Sequence, residues 1–125
     1  MATVLLIDDE ARVGAALRFA LSPHGIDVVQ ETSAAAGVAR ARASAPDCIL
    51  LDVDLGGDDG LDACRALKAD SQTARIPVVM LTGMVDAAST ARGFEAGADD
   101  YVPKPFTPRE LHARIAAHLR RAGAA

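Results

Sequence analysis

The chain has no tryptophan, one tyrosine and three phenylalanines among 125 residues, whereas half of its residues are hydrophobic. A core made without aromatics has to be built from Val, Ile, Leu and Ala. Cysteine is scarce as well. Cys48 lies in an apolar run and Cys64 in a helical pattern, neither at metal-ligand spacing, which predicts two buried, reduced thiols rather than a disulfide framework or a zinc site. Long apolar runs are missing: VLLI and CILL are far too short to span a bilayer, and no signal-peptide pattern opens the chain. Positive charge is not in excess either, since the formal net charge is −4, which argues against direct nucleic-acid binding. These absences leave a cytoplasmic soluble domain, with length for one core and not two.

Short apolar runs alternate with helical patterns five times. Strands are expected at 3–7, 26–30, 48–52, 76–82 and 100–102. After the first comes a helix with Val13, Leu17, Ala20 and Leu21 at helical spacing, stopped by Pro23, His24 and Gly25. An Ala-rich helix follows the second, capped by Thr32 or Ser33. The third helix aligns Leu61, Cys64 and Leu67, and the fourth, from Asp86 to near Gly97, is poor in large apolar residues. The last opens on Thr107-Pro108-Arg109-Glu110, a capping box with proline at the first helical position. Near-continuous apolar strands, each followed by a helix, imply an α/β fold. The expected form is a doubly wound five-stranded parallel sheet flanked by five helices. Residues 1–121 form the domain, and 122–125 a tail or the start of a linker.

Ligands in such folds bind beyond the carboxyl ends of the strands. At those ends stand Asp8, Asp9 and Glu10 after the first strand, and Asp52 and Asp54 after the third. Thr82 and Gly83 follow the fourth, and Lys104-Pro105 the fifth. Crowded carboxylates repel, and a hard cation would neutralise them. Carboxylate and carbonyl oxygens suit Mg²⁺, with Mn²⁺ as a substitute. A hydroxyl and an ammonium opposite suit the oxygens of a transferring phosphoryl group, and an aspartate can itself be the nucleophile.

With IDDE, LLDVDLGGDDG, VVMLTG and GADDYVPKPF in this order, the chain resembles the receiver domains of two-component response regulators, the CheY-like superfamily, over nearly its full length. That resemblance implies a flavodoxin-like strand order, 2-1-3-4-5. It also implies that Asp52 accepts a phosphoryl group from a histidine kinase or a histidine phosphotransfer protein. Asp9 would bind Mg²⁺ directly, Asp8 mainly through water, Asp52 through its carboxylate and Asp54 through its backbone carbonyl. Lys104, preceding a cis Pro105, would contact a phosphoryl oxygen, and Thr82 and Tyr101 would be the switch pair. The output surface would be the fourth helix, fifth strand and fifth helix. It would meet an output domain, a downstream protein or, on phosphorylation, a second copy of the chain. No membrane and no direct nucleic-acid contact is implied, and the domain signals rather than acting as an enzyme, although it assists its own phosphorylation and dephosphorylation.

Departures from the family pattern are Gly56, where proline is frequent, and Gly83, where alanine is common; both are expected to loosen their loops. Asp54 and Met84 stand at the two positions through which similar receivers tune phosphoryl lifetime. Asp100 and Arg114 match a charged pair that crosses the dimer of some receivers, while Thr90 replaces the basic partner of Glu110. Arg109, Arg114, Arg120 and Arg121 read as a solvated helix face, and His24, His112 and His118 lack ligand geometry. Two alternatives are a phosphorylation-independent pseudo-receiver and a haloacid-dehalogenase-type phosphatase, whose DxD motif Asp52-Val53-Asp54 mimics. The phosphatase carries that motif on its first strand, and its acidic pair follows the lysine; here the acidic pair comes first. Gly56-Gly57-Asp58-Asp59 resembles the signature of diguanylate cyclases, but directly after the acceptor strand it reads as a loop.

Overall fold

In strand β1 (Ala2–Ile7), Val4 and Leu6 face one side and Leu5 and Ile7 the other, and all four are buried. The same alternation runs through β3 (Cys48–Asp52) and β4 (Val78–Thr82), so two apolar layers flank one sheet. In a computed structural model, which describes residues 2–83 and 87–121, the sheet is completed by β2 (Ile26–Glu31) and β5 (Asp100–Pro103). All pairings are parallel, in the order β2-β1-β3-β4-β5, as expected. Helices α1 (Ala11–Leu21) and α5 (Pro108–Arg121) supply Leu17, Leu21, Leu111, Ile115 and Leu119 to one layer. On the other side lie α2 (Ala34–Ser44), α3 (Gly60–Ala69) and α4 (Ala87–Glu95). Each leucine fully buried here contributes about 1.5–3 kcal/mol.

Local signals operate in part as the chain predicts. Ser33 Oγ, not Thr32, caps α2, accepting from the Ala36 N–H at 3.2 Å. Thr107 Oγ1 accepts from Glu110 N–H at 3.1 Å, but the Glu110 carboxylate turns to Arg114 at 3.6 Å instead of closing the box. Both cysteines are buried free thiols, and burial pushes the Cys48 thiol up to about 12.

The loop expected after β3 is a small hairpin. Asp54–Leu55 pairs antiparallel with Asp58–Asp59, and Gly56 and Gly57 turn the corner at φ 64° and 120°. Positive φ at both central positions of a two-residue connection favours glycine, so Gly56, expected to loosen its loop, instead helps to define a turn. Met84, the expected helix start at Asp86, and the tail 122–125 lie outside the described residues.

Candidate functional site

The carboxyl ends of β1, β3, β4 and the segment after β5 converge on one open cavity of about 330 Å³. It is lined by Asp9, Glu10, Asp52, Asp54, Gly56, Thr82, Gly83 and Lys104. Register accounts for the meeting: Ile7 pairs with Leu51, Asp52 with Leu81 and Thr82 with Pro103, so the residues that follow emerge side by side.

Asp52 is nearly buried, and both its oxygens are engaged. Oδ1 accepts from the Asp54 N–H at 3.0 Å and Oδ2 from Lys104 Nζ at 2.8 Å. Lys104 reaches this place across the expected cis bond to Pro105, its backbone N–H bonded to the Thr82 carbonyl at 2.6 Å. Burial alone would lower its pKa, but the Asp52 and Asp8 carboxylates outweigh burial and hold the ammonium above its ordinary range. Thr82 is buried on the neighbouring strand end. Tyr101 lies one strand further out, its ring against Gly93 of α4, where an added Cβ would stand 2.9 Å from Cδ2 and Cε2.

Asp8 and Asp9 differ sharply. Asp8 is fully buried: Oδ1 accepts from the Glu10 N–H at 2.8 Å, whereas Oδ2 has no hydrogen-bond donor and stands 3.6 Å from Lys104 Nζ. Desolvation raises the Asp8 pKa, and the Asp52 charge adds to the rise, against the Glu10 N–H and Lys104. Asp9 is exposed at the rim. Ligand atoms of Asp8, Asp9 and Glu10 lie within 4.8 Å of one another. An orphaned buried carboxylate oxygen beside further hard oxygen donors fits a divalent cation such as Mg²⁺ or Mn²⁺. The Asp54 side chain is exposed and accepts from the Gly56 N–H at 3.2 Å.

The structure also brings in residues that the sequence left aside. Gln30 Nε2 donates to the carbonyls of Asp8 at 2.8 Å and Glu10 at 3.0 Å. A glutamine ending an edge strand carries no pattern that announces this. Gly60 presses on the backbone of Asp52, since an added Cβ would overlap the Asp52 carbonyl oxygen. Arg114 and His118, read as solvated or without role, both bind Asp100, at 2.9 and 3.0 Å. The Asp100–Arg114 pair expected across a dimer is thus made within one chain.

A family model described as the response regulator receiver domain matches residues 4–116. The chain is 42% identical over 118 residues to the DNA-binding response regulator MtrA of Mycobacterium tuberculosis strain H37Rv, covering 94% of this chain and 50% of that one. It is 41% identical over 121 residues to the phosphate regulon transcriptional regulatory protein PhoB of Pseudomonas aeruginosa, covering 97% and 53%. It therefore spans about half the length of the curated relatives it matches. The BeF3-activated N-terminal receiver domain of Klebsiella pneumoniae RstA superposes with a TM-score of 0.85 at 33% identity, covering 94% of this chain and 98% of that one. Among the described residues, no helix is long and apolar enough to cross a membrane. On sequence and fold together, the chain belongs to the response regulator receiver domains of two-component systems.

Proposed function

We propose that the domain takes a phosphoryl group onto Asp52 from a phosphohistidine on a histidine kinase or phosphotransfer protein. The observation that carries this reading is the ammonium of Lys104 held between two strand-end carboxylates, 2.8 Å from Asp52 and 3.6 Å from Asp8, at the floor of an open acidic cavity. An Asp52 oxygen attacks phosphorus, the P–N bond breaks, and the donor imidazole leaves. The backbone N–H of Asp54 and Lys104 Nζ orient the attacking carboxylate; Lys104 and the Thr82 hydroxyl then receive phosphoryl oxygens. Asp8, Asp9, the Asp52 carboxylate and the Asp54 carbonyl would hold Mg²⁺, or Mn²⁺ in its place. When bound, the ion offsets the charge of the carboxylates and of the phosphoryl group.

Drawing Thr82 toward the phosphoryl group frees space behind it for the Tyr101 ring, which biases the α4–β5–α5 surface toward its active arrangement. That surface meets an output domain, a partner protein or a second copy. The test is intact-mass analysis after incubation with acetyl phosphate and Mg²⁺. One phosphoryl adduct is expected, absent without the metal and absent in Asp52→Asn. An adduct that persists in Asp52→Asn would refute the assignment.

A further inference from the structure

Three consecutive carboxylates at the end of β1 repel one another; the loop that carries them has one tie of its own, from the Glu10 N–H to Asp8 Oδ1, and further ties come from β2. The atoms held from β2 are backbone carbonyls. Ile26, Val28 and Gln30 share one face of β2 at a period of two, the face on which Val28 packs with Leu17 and Leu21 of α1. Gln30 ends that row and is aligned with Leu6, so its side chain reaches past the end of β1. Its amide nitrogen donates both protons there, to the Asp8 carbonyl at 2.8 Å and to the Glu10 carbonyl at 3.0 Å. These two carbonyls bracket Asp9, whose exposed carboxylate lines the cavity. Beneath the amide lies Gly14, buried on α1, where an added Cβ would overlap Oε1 of Gln30. A glycine in a helix interior disfavours the helix by about 1 kcal/mol relative to alanine. Here it provides the space in which the glutamine side chain lies.

We infer that Gln30, seated on Gly14, is a positioning residue that fixes the Asp8–Glu10 loop in the arrangement that receives the divalent cation. The inference rests on the metal reading above and adds to it a pair of residues that touch neither metal nor phosphoryl group. The glutamine contributes no charge to the cavity. Its effect on metal affinity therefore comes through geometry alone, as with other groups that orient ligands from behind.

The experiment is a Mg²⁺ titration without any phosphodonor, followed by the backbone amide shifts of Asp8, Asp9 and Glu10. It uses the parent chain, Gln30→Met, Gly14→Ala and the double variant, each first shown to be folded by its dispersed spectrum. Gln30→Met keeps the side-chain length and removes the donors; it is expected to weaken Mg²⁺ binding by about 10-fold. Gly14→Ala is expected to weaken it in the same direction, by evicting the amide, despite alanine being the better helix former. The double variant should be no worse than Gln30→Met, because one device is lost once. Unchanged affinity in Gln30→Met beside a binding parent overturns the inference and leaves the metal reading intact. So does an additive loss in the double variant. A parent chain that binds no Mg²⁺ overturns the metal reading and this inference with it.

Discussion

Asp100 is held by three donors: His118 Nε2 at 3.0 Å, Arg114 Nη1 at 2.9 Å and the Tyr101 N–H at 2.8 Å. Burial alone would raise its pKa; His118, the Tyr101 N–H and Arg114 outweigh burial and bring it below the ordinary 3.8. A carboxylate lowered in the folded state contributes stability that is fully present above its unfolded value and is lost as pH falls through its folded value. Asp100→Asn should therefore destabilise the protein at pH 7 by roughly 1–2 kcal/mol and flatten the loss of stability below about pH 4. Urea midpoints at pH 7 and pH 3 check both parts. Equal losses at the two pH values would show that the charge of Asp100 contributes nothing. Only part of this cluster was legible: the resemblance paired Asp100 with Arg114, but across a dimer, and His118, 18 positions after Asp100, shares no motif with either. Asp8, Asp9, Asp52 and Thr82 were legible as one group because each ends or follows an apolar run, and parallel strands put such positions on one edge; Lys104 was legible only through the GADDY before it and the Pro105-Phe106 after it.

At the scale of elements, α4 has few residues tying it to the sheet: Ser89 and Gly93 are its buried positions among the described residues. Gly93 lets the Tyr101 ring lie against the helix, with Phe94 6.3 Å from it, ring centre to ring centre. Gly93→Ala adds helix propensity of about 1 kcal/mol and at the same time puts a methyl group where the ring edge is. The ring should swing off α4. The chain has one tyrosine and no tryptophan, so intrinsic fluorescence reports on Tyr101 alone. The variant is expected to show greater acrylamide quenching than the parent, with little change in urea midpoint. Unaltered quenching would mean that α4 yields and the ring does not. The five strands of the main sheet and the five helices were legible from short apolar runs alternating with helical patterns. The Asp54–Asp59 hairpin was not, since two-residue strands are too short to show a period. Nothing in the sequence marks Gly14 or Gly93, whose use becomes visible only in the side chains lying on them, Gln30 and Tyr101.

For the molecule as a whole, a cation that binds the folded chain and not the unfolded one stabilises it by mass action, by about 2.7 kcal/mol at one hundred times its dissociation constant. Millimolar Mg²⁺ is therefore expected to raise the melting temperature of the parent, reversibly on chelation, and to leave Asp9→Asn unmoved. A rise of equal size in that variant would place the ion elsewhere. The order in which the chain supplies the site has a consequence for its synthesis. Asp8 and Asp52 belong to its first half, but the lysine that bridges them stands at position 104, beyond the last strand. A nascent chain emerging from the ribosome carries the Asp52 carboxylate well before it carries the ammonium and the strand that seats it. Until that final segment docks, the Asp8 and Asp52 carboxylates lack the ammonium that pairs them, so this cluster is completed only with the whole fold.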